Sequence, residues 1–234
     1  MAKRHGYGQF CPISRASELL TTRWTPLIVR ELYFGSTRYA ELRRGLPRIS
    51  SALLSQRLKE LEYAGIVTCQ KAESGTGNVY GLTDAGRELF PVLESMGRWA
   101  QAHSRDDMTR DENLDPDLLM WNIRRRVTSD GIPGDQHYVV AFHFLGVPVP
   151  RSRFWLLFRD GDIEVCVRDP GYAVGLAVTA HIRTLIQIWL GHLPLELAIR
   201  KRELLLEGER QNVRAFPRWF NLSYLAVRDE TDIQ

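Results

Sequence analysis

Apolar residues follow a helical period in the first half of the chain and alternate in a strand-like manner in the second half. Leu54, Leu58 and Leu61 recur four and three residues apart, which predicts an amphipathic helix with one buried stripe. Ser50 precedes this helix as a natural N-cap, and Gly65 follows its last turn. The first half of the chain is therefore expected to be mainly helical.

Proline, glycine and capping residues bound the other elements of the first half. Pro12 and Pro26 each mark a helix start, because the first turn of a helix tolerates proline. Thr83 is expected to cap a long helix. The predicted elements are helices at 12–21, 25–34, 38–44, 51–64 and 84–103, with strands at 66–70 and 78–82 flanking a loop. This order is the plan of a winged helix-turn-helix.

Strand-like alternation is typical of the second half. The Asp160-Gly161 pair between two such runs is a strong signal of a hairpin turn. Thr179 is expected to cap an apolar helix. The predicted elements are strands at 136–145, 153–158, 162–167 and 203–207, a helix at 179–190, a short helix from 194 and a closing helix around 216–219.

A polar segment between His103 and Pro116 separates the two halves and is nearly free of apolar side chains, which predicts a linker. The expected organisation is a winged helix-turn-helix domain at 1–104, a linker at 105–116 and an α+β domain at 117–234. The predicted fold class of the whole chain is therefore α+β.

Charge is distributed unevenly along the chain. Residues 1–104 hold 14 Lys and Arg against 9 Asp and Glu, whereas residues 105–234 hold 17 against 19. A positive field confined to one half favours a polyanionic partner for that half, although a solvated charged surface has the same composition. No run of about 18 apolar residues is present to span a membrane. With no secretion signal at the start, we expect a cytoplasmic protein without a membrane partner.

The sequence contains no motif of an enzyme or of a metal site. It has no HExxH cluster, no phosphate loop and no nucleophile elbow, and its three cysteines lack zinc-ligand spacing. We therefore expect no catalytic residues, no metal and no cofactor.

The helix that follows Ser50 is the candidate reader of double-stranded DNA, because a helix fits the major groove and its first turns reach base edges. Short hydroxyl and amide side chains lie there, away from the leucine stripe, and basic residues surround them to attract phosphate. The alternative is an ordinary amphipathic helix with a solvated basic face. The candidate contacts are Ser50, Ser51, Ser55 and Gln56 for bases and Arg38, Arg48, Arg57, Lys59 and Lys71 for phosphates.

The motifs Cys11-Pro-Ile, Trp24-Thr-Pro-Leu-Ile, Arg38-Tyr-Ala-Glu-Leu, 49–62 and Tyr80-Gly-Leu-Thr-Asp-Ala-Gly closely resemble the HxlR-type family of transcription regulators. The resemblance covers about residues 8–103. It implies a homodimer built from the helices at 12–21 and 84–103. Wings of this family commonly carry proline and basic residues, whereas this wing loop has only Lys71 and Glu73 among small residues.

The position of Cys11 matches the reactive thiol of several redox-sensing members of the HxlR-type family. Cys11 is expected at a helix N-cap, where the helix dipole favours a thiolate, and Arg15 lies one turn away. The alternative is a small residue that packs in the dimer interface.

The second half is similar to sterol-carrier-protein-like domains, a lipid-binding fold, on the run from Val178-Thr through Trp189-Leu-Gly to Leu204–Gly208. That resemblance implies a hydrophobic tunnel between the sheet and the helices. A solidly packed domain that serves only dimerisation is the alternative. The candidate tunnel residues are Phe142, Phe144, Trp155, Leu157, Ile188 and Trp189.

Taken together, these patterns predict a homodimeric, sequence-specific DNA-binding regulator, expected to be a repressor, whose second domain senses a small apolar ligand. Two other interpretations remain open at the level of sequence. One is a lipid carrier with an attached DNA-binding module, and the other is a thiol-based redox sensor that acts through Cys11.

Overall fold

The computed structural model describes residues 6–73, 75–128, 132, 137–159 and 161–227. The chain forms two compact units, Met1–Gly97 and Arg98–Gln234. The division falls inside a helix, whereas the sequence places the domain boundary at residue 104.

The first unit has the predicted winged helix-turn-helix order. Its elements are α1 (Pro12–Leu20), α2 (Thr25–Tyr33), α3 (Tyr39–Gly45), α4 (Ser51–Tyr63), β1 (Val67–Lys71), β2 (Asn78–Leu82), α5 (Asp84–Glu88) and α6 (Phe90–His103), of which α6 continues into the second unit. The leucine stripe of α4 is confirmed, because Leu54, Leu58 and Leu61 are fully buried against Ile28 and Leu42.

Caps predicted from the sequence are present in the first unit. The hydroxyl of Ser50 accepts a hydrogen bond from the Leu53 backbone N–H at 3.2 Å, and that of Thr83 accepts one from Gly86 at 3.0 Å. The single long helix predicted after Thr83 is wrong, because α5 ends at Glu88 and α6 begins at Phe90. Pro91 has no N–H to donate to the carbonyl of the preceding turn, which accounts for this break.

The wing is a two-stranded antiparallel sheet in which Val67 pairs with Leu82 and Lys71 with Asn78. Arg38 forms an additional antiparallel bridge with Val79, and the Tyr80 N–H donates to the Thr37 carbonyl at 2.8 Å. The start of α3 is therefore attached directly to the wing.

The second unit is α+β, as predicted, and is built on a five-stranded sheet of order β5-β4-β3-β6-β7 in which only β3 and β6 run parallel. Its elements are α7 (Arg105–Met108), α8 (Pro116–Arg126), β3 (Tyr138–Leu145), β4 (Arg153–Arg159), β5 (Asp162–Cys166), β6 (Val174–His181), α9 (Ile182–Trp189), α10 (Leu195–Arg200), β7 (Leu204–Gly208) and α11 (Arg210–Trp219). Short 3-10 turns lie at Asp111–Asn113 and Val149–Arg151.

Strand β6 was not predicted, and the expected cap at Thr179 is wrong. Thr179 lies within β6, paired with His143 of the central strand β3. The cap of α9 is His181, whose Nδ1 accepts a hydrogen bond from the Arg183 N–H at 3.2 Å. The predicted hairpin turn includes Asp160, which lies outside the described residues, but its flanking residues Arg159 and Asp162 are paired.

The two faces of this sheet differ in character. One face packs against the helices and carries the large apolar side chains of the core, with ring contacts such as Phe158 to Trp219 at 5.9 Å. Successive side chains of a strand alternate between faces. The opposite face is mixed. Val139 and Leu157 on it are buried and apolar, whereas the positions beside them carry several small or polar residues: Ala141, His143, Trp155, Cys166, Ala177 and Thr179.

The segment predicted as a linker is ordered by contacts within the second unit. It contains α7 and a 3-10 turn, and the Arg183 guanidinium is paired with Asp111 of that turn. Arg105 donates to the His192 carbonyl at 3.0 Å. Polar side chains thus attach this segment to the rest of the second unit, although its sequence has no apolar pattern that would predict such packing.

Gln101 joins the end of α6 to the loop after α9 and to the segment that follows α11. Its Nε2 donates to the carbonyls of Leu190, at 3.3 Å, and Leu225, at 2.8 Å. Its Oε1 accepts from His192 Nε2 at 2.6 Å. Burial, with a smaller contribution from Arg105, lowers the pKa of His192.

Candidate nucleic-acid interface

The first turn of α4 is held by α3. The Tyr39 hydroxyl donates to the Ser51 carbonyl at 2.8 Å and accepts from the Ser55 hydroxyl at 3.3 Å. The Arg43 guanidinium donates to the Ser51 hydroxyl. These contacts fix the orientation of the N-terminal end of α4 relative to α3.

The predicted base-contacting residues are all solvent-exposed at this end of α4. Ser51, Ser55 and Gln56 lie off the leucine stripe, and the Gln56 amide donates to Glu60 Oε1 at 3.0 Å. Ser50 is exposed too, but its hydroxyl already caps the helix. The structure thus brings the four polar residues together on one accessible surface.

The predicted phosphate-contacting residues fall into two groups. Lys59 on α4, Arg48 before it and Lys71 in the wing are exposed, and Arg38 is half-buried where α3 meets the wing. Arg57 differs, because only 15% of its side chain is exposed. Its Nε donates to the Arg23 carbonyl at 3.2 Å, and its Nη1 pairs with Glu60 at 2.6 Å. Arg57 therefore ties α4 to the turn before α2.

The wing offers little positive charge. Lys71 ends β1 and Glu73 follows it, both exposed, so the two opposite charges lie close together in sequence at the start of the loop. Ser74 of this loop lies outside the described residues.

Cys11 is the N-cap residue of α1, as predicted, and is half-buried with no hydrogen bond from its side chain to the helix. Its carbonyl accepts from the Ser14 hydroxyl at 3.0 Å. Arg15 pairs with Glu18 at 2.5 Å, so its charge is already partnered.

Cys166 differs from a reactive cysteine. Burial raises the pKa of its thiol, which lowers the fraction of reactive thiolate.

The six predicted tunnel residues do not form one site, and only two of them, Phe142 and Trp155, line the same cavity. Phe142, Phe144, Ile188 and Trp189 are buried in the core on the helix side of the sheet. Trp155 and Leu157 project from the opposite face. This cavity of about 270 Å³ lies on that opposite face and is lined by seven residues: Ala141, Phe142, His143, Arg153, Trp155, Asp169 and Ala177.

Sequence reasoning missed most of this cavity, because large apolar residues were taken as its lining. The signal that marks it is the alternation of small and polar residues with core residues along β3 and β6, at Ala141, His143, Ala177 and Thr179. In the part of the chain that the structure describes, no group of three or more His, Cys, Asp or Glu could hold a metal ion. No helix among the described residues is long and apolar enough to cross a membrane.

Comparison with known proteins shows which family the helix-turn-helix region resembles. A profile of the HxlR-like helix-turn-helix family matches residues 19–108. The chain is 40% identical over 94 residues to YvaP of Bacillus subtilis (strain 168), an uncharacterized HTH-type transcriptional regulator, with 39% of this chain and 87% of YvaP covered. It is 39% identical over 92 residues to the HTH-type transcriptional regulator YodB of the same strain, with 38% and 82% covered.

Among solved structures, the reduced form of YodB matches at 36% identity with a TM-score of 0.37, over 41% of this chain and 95% of that chain.

In this winged helix-turn-helix, the polar first turns of α4, the second helix of the helix-turn-helix motif, are exposed. This is the architecture of a DNA-binding regulator. The chain belongs to the HxlR-like helix-turn-helix family and is a transcription regulator, not an enzyme.

The contacts of Arg57 lead to a stability prediction. Replacing Arg57 with alanine removes the hydrogen bond to the Arg23 carbonyl and the ion pair with Glu60, so the free energy of unfolding should fall by about 1 kcal/mol. Lys59→Ala is the matched control, because Lys59 is exposed on the same helix with no partner among the described residues. Chemical denaturation of both variants checks this. Equal stability of the two variants would contradict the structural role of Arg57.

Proposed function

We propose that this regulator is a homodimer that reads a specific DNA sequence through the first turns of α4 and represses the genes it binds. The observation that carries the proposal is the accessible surface of Ser51, Ser55 and Gln56, held in place by Tyr39 and Arg43 of α3.

Hydroxyl and amide groups suit this role because they both donate to and accept from base edges. Gln56 donates to Glu60 in the free protein, so it exchanges this partner for a base when DNA binds. Ser50 contributes from the helix N-terminus. Arg38, Arg48, Lys59 and Lys71 supply the attraction to phosphate, which positions the helix without reading sequence.

Exposed apolar residues on two helices support the homodimer. Val92, Met96 and Trp99 share one face of α6 with 47%, 50% and 62% of their surface exposed, and Phe10 and Ile13 are largely exposed at the start of α1. Such residues are unfavourable in water, and a second copy of the chain that covers them removes this cost.

The second unit supplies the ligand response in this proposal. Its sterol-carrier-like character, with an apolar ligand between sheet and helices, remains a prediction from sequence. A ligand changes DNA binding only if it binds one arrangement of the dimer better than another. A structural brace without ligand, or a lipid carrier with an attached DNA-binding module, are the competing functions.

Base reading by α4 is tested with the double variant Ser51→Ala/Gln56→Ala. Each lost base contact should weaken binding to the preferred site by about 1–3 kcal/mol and leave non-specific binding unchanged. Lys59→Ala is the matched control, because loss of a phosphate contact should weaken both kinds of binding and lower the salt slope by about 1. Fluorescence anisotropy over a range of salt concentrations separates the two. Unchanged specificity in the double variant would show that another surface reads the DNA.

The dimer is tested by sedimentation at micromolar concentration. The wild-type chain should sediment as a dimer, and Met96→Glu/Trp99→Glu should sediment as a monomer because the covered face then carries two charges. Tyr63→Glu is the control, since Tyr63 is an even more exposed apolar side chain but lies at the end of α4. A monomeric wild-type chain would contradict the proposal.

A thiol response is a second candidate function. It is favoured by the half-buried Cys11 thiol at the N-cap of α1, which makes no capping hydrogen bond. Oxidation should release DNA, and Cys11→Ser should abolish that response while Cys69→Ser retains it. Alkylation of Cys11 at neutral pH no faster than that of a cysteine peptide, or normal DNA binding by the oxidised chain, would assign Cys11 a packing role.

A further inference from the structure

The cavity lies on the face of the sheet opposite the helices. Its floor is apolar and leaves a space of the size of one flat ring. One row of paired residues crosses four strands in the order Cys166, Trp155, Ala141 and Ala177. The two methyl side chains stand beside the indole, so a space about two strand spacings wide, or roughly 10 Å, remains above them. A flat ring can lie there on the alanines and against the edge of Trp155.

The adjacent row supplies polar groups at one side of this gap. Arg153 and His143 are direct cross-strand partners on the same face. Neither side chain has a hydrogen bond or an ion pair among the residues that the structure describes. An exposed guanidinium with free donors next to an apolar slot is a natural partner for a carboxylate, which it binds with two parallel hydrogen bonds.

Asp169 adds a second requirement. It lines the same cavity, and its Oδ1 accepts from the Gly171 backbone N–H at 2.8 Å, which holds the carboxylate in position. A second carboxylate near Asp169 would be repelled, whereas a hydroxyl or amino group of the ligand would donate to its remaining lone pairs. The ligand therefore needs an acid group at one end and a donor elsewhere.

The size of the cavity suits a ligand with one ring. Its volume of about 270 Å³ lies just below the range of sites that hold drug-sized molecules, which starts at roughly 300 Å³. A sterol is larger and has no carboxylate for Arg153, and a long-chain fatty acid is larger and has no donor for Asp169.

We infer that this cavity binds a monocyclic aromatic acid bearing a hydroxyl or amino group, with its ring on Ala141 and Ala177 beside Trp155 and its carboxylate on Arg153. This inference deepens the ligand response of the proposed function and moves the ligand from the helix side of the sheet to the opposite face.

Calorimetric titration of the full chain with 4-hydroxybenzoate tests the inference. One saturable site per chain is expected. Benzoate, which lacks the donor, and 4-hydroxybenzyl alcohol, which lacks the carboxylate, should each bind at least about tenfold more weakly.

Variants locate the site. Arg153→Gln should weaken 4-hydroxybenzoate binding by about tenfold or more, because an amide cannot replace the charged pair of hydrogen bonds. Ala177→Leu should abolish binding by filling the gap. Arg159→Gln is the control, since Arg159 lies on the same strand and pairs with Glu164 outside the cavity, and its binding should be unchanged. Arg153 is exposed, so its variant should fold, and circular dichroism verifies this for each protein.

Absence of saturable binding, wild-type affinity in Arg153→Gln, or binding of palmitate in preference to 4-hydroxybenzoate would each overturn the inference. DNA binding is measured separately on the same preparation. A chain that binds 4-hydroxybenzoate as described but shows no specific DNA binding would support this site and contradict the proposed regulator function.

Discussion

Burial of the leucine stripe on α4 is the constraint on which the DNA-binding surface depends. Each of Leu54, Leu58 and Leu61 is fully buried and contributes roughly 1.5–3 kcal/mol relative to exposure. Rotation of α4 about its axis would expose this stripe, so the helix has one stable orientation. The Tyr39 and Arg43 contacts are exposed and individually weaker, and they adjust the first turn within that orientation. Because the leucine stripe is buried, Ser51, Ser55 and Gln56 on the other side of α4 point outward.

The second unit uses one sheet for two purposes. Large apolar side chains point to the helices and fill the core, and the alternation of strands then sends the remaining residues to the other face. Because Ala141 and Ala177 occupy the central strands there, their methyl groups leave a gap on the second face, whereas Val139 and Leu157 on the same face are buried. The Gln101 hydrogen bonds attach the end of α6 to the loop after α9 within this unit.

Local signals were sufficient to predict the winged helix-turn-helix. The leucine period, the Ser50 and Thr83 caps and the glycine after α4 each act within one or two turns, so they are readable in sequence. The break at Pro91 is also local and was overlooked within an otherwise apolar helical pattern. Strand β6 could not be separated from the following helix, because its residues continue into α9 without a turn signal.

Long-range contacts account for what sequence could not show about the candidate sites. The sequence suggests that Arg57 is an exposed cation on the surface of α4. Its hydrogen bond to the Arg23 carbonyl, which is far away in sequence, gives it a structural role instead. Phe144 and Trp155 are both bulky and apolar and were predicted to line one tunnel, but the strand register places their side chains on opposite faces of the sheet. Register depends on pairing partners and not on the hydrophobicity of either residue.

Sequencing of the genomic fragments that the purified full chain retains at physiological salt tests whether the exposed turns of α4 read a specific DNA sequence as part of a dimer. We expect enrichment of one two-fold-related sequence whose half-sites lie about one helical turn, roughly 34 Å, apart. Retained fragments that share no sequence, in an amount that simply falls as salt rises, would contradict this expectation.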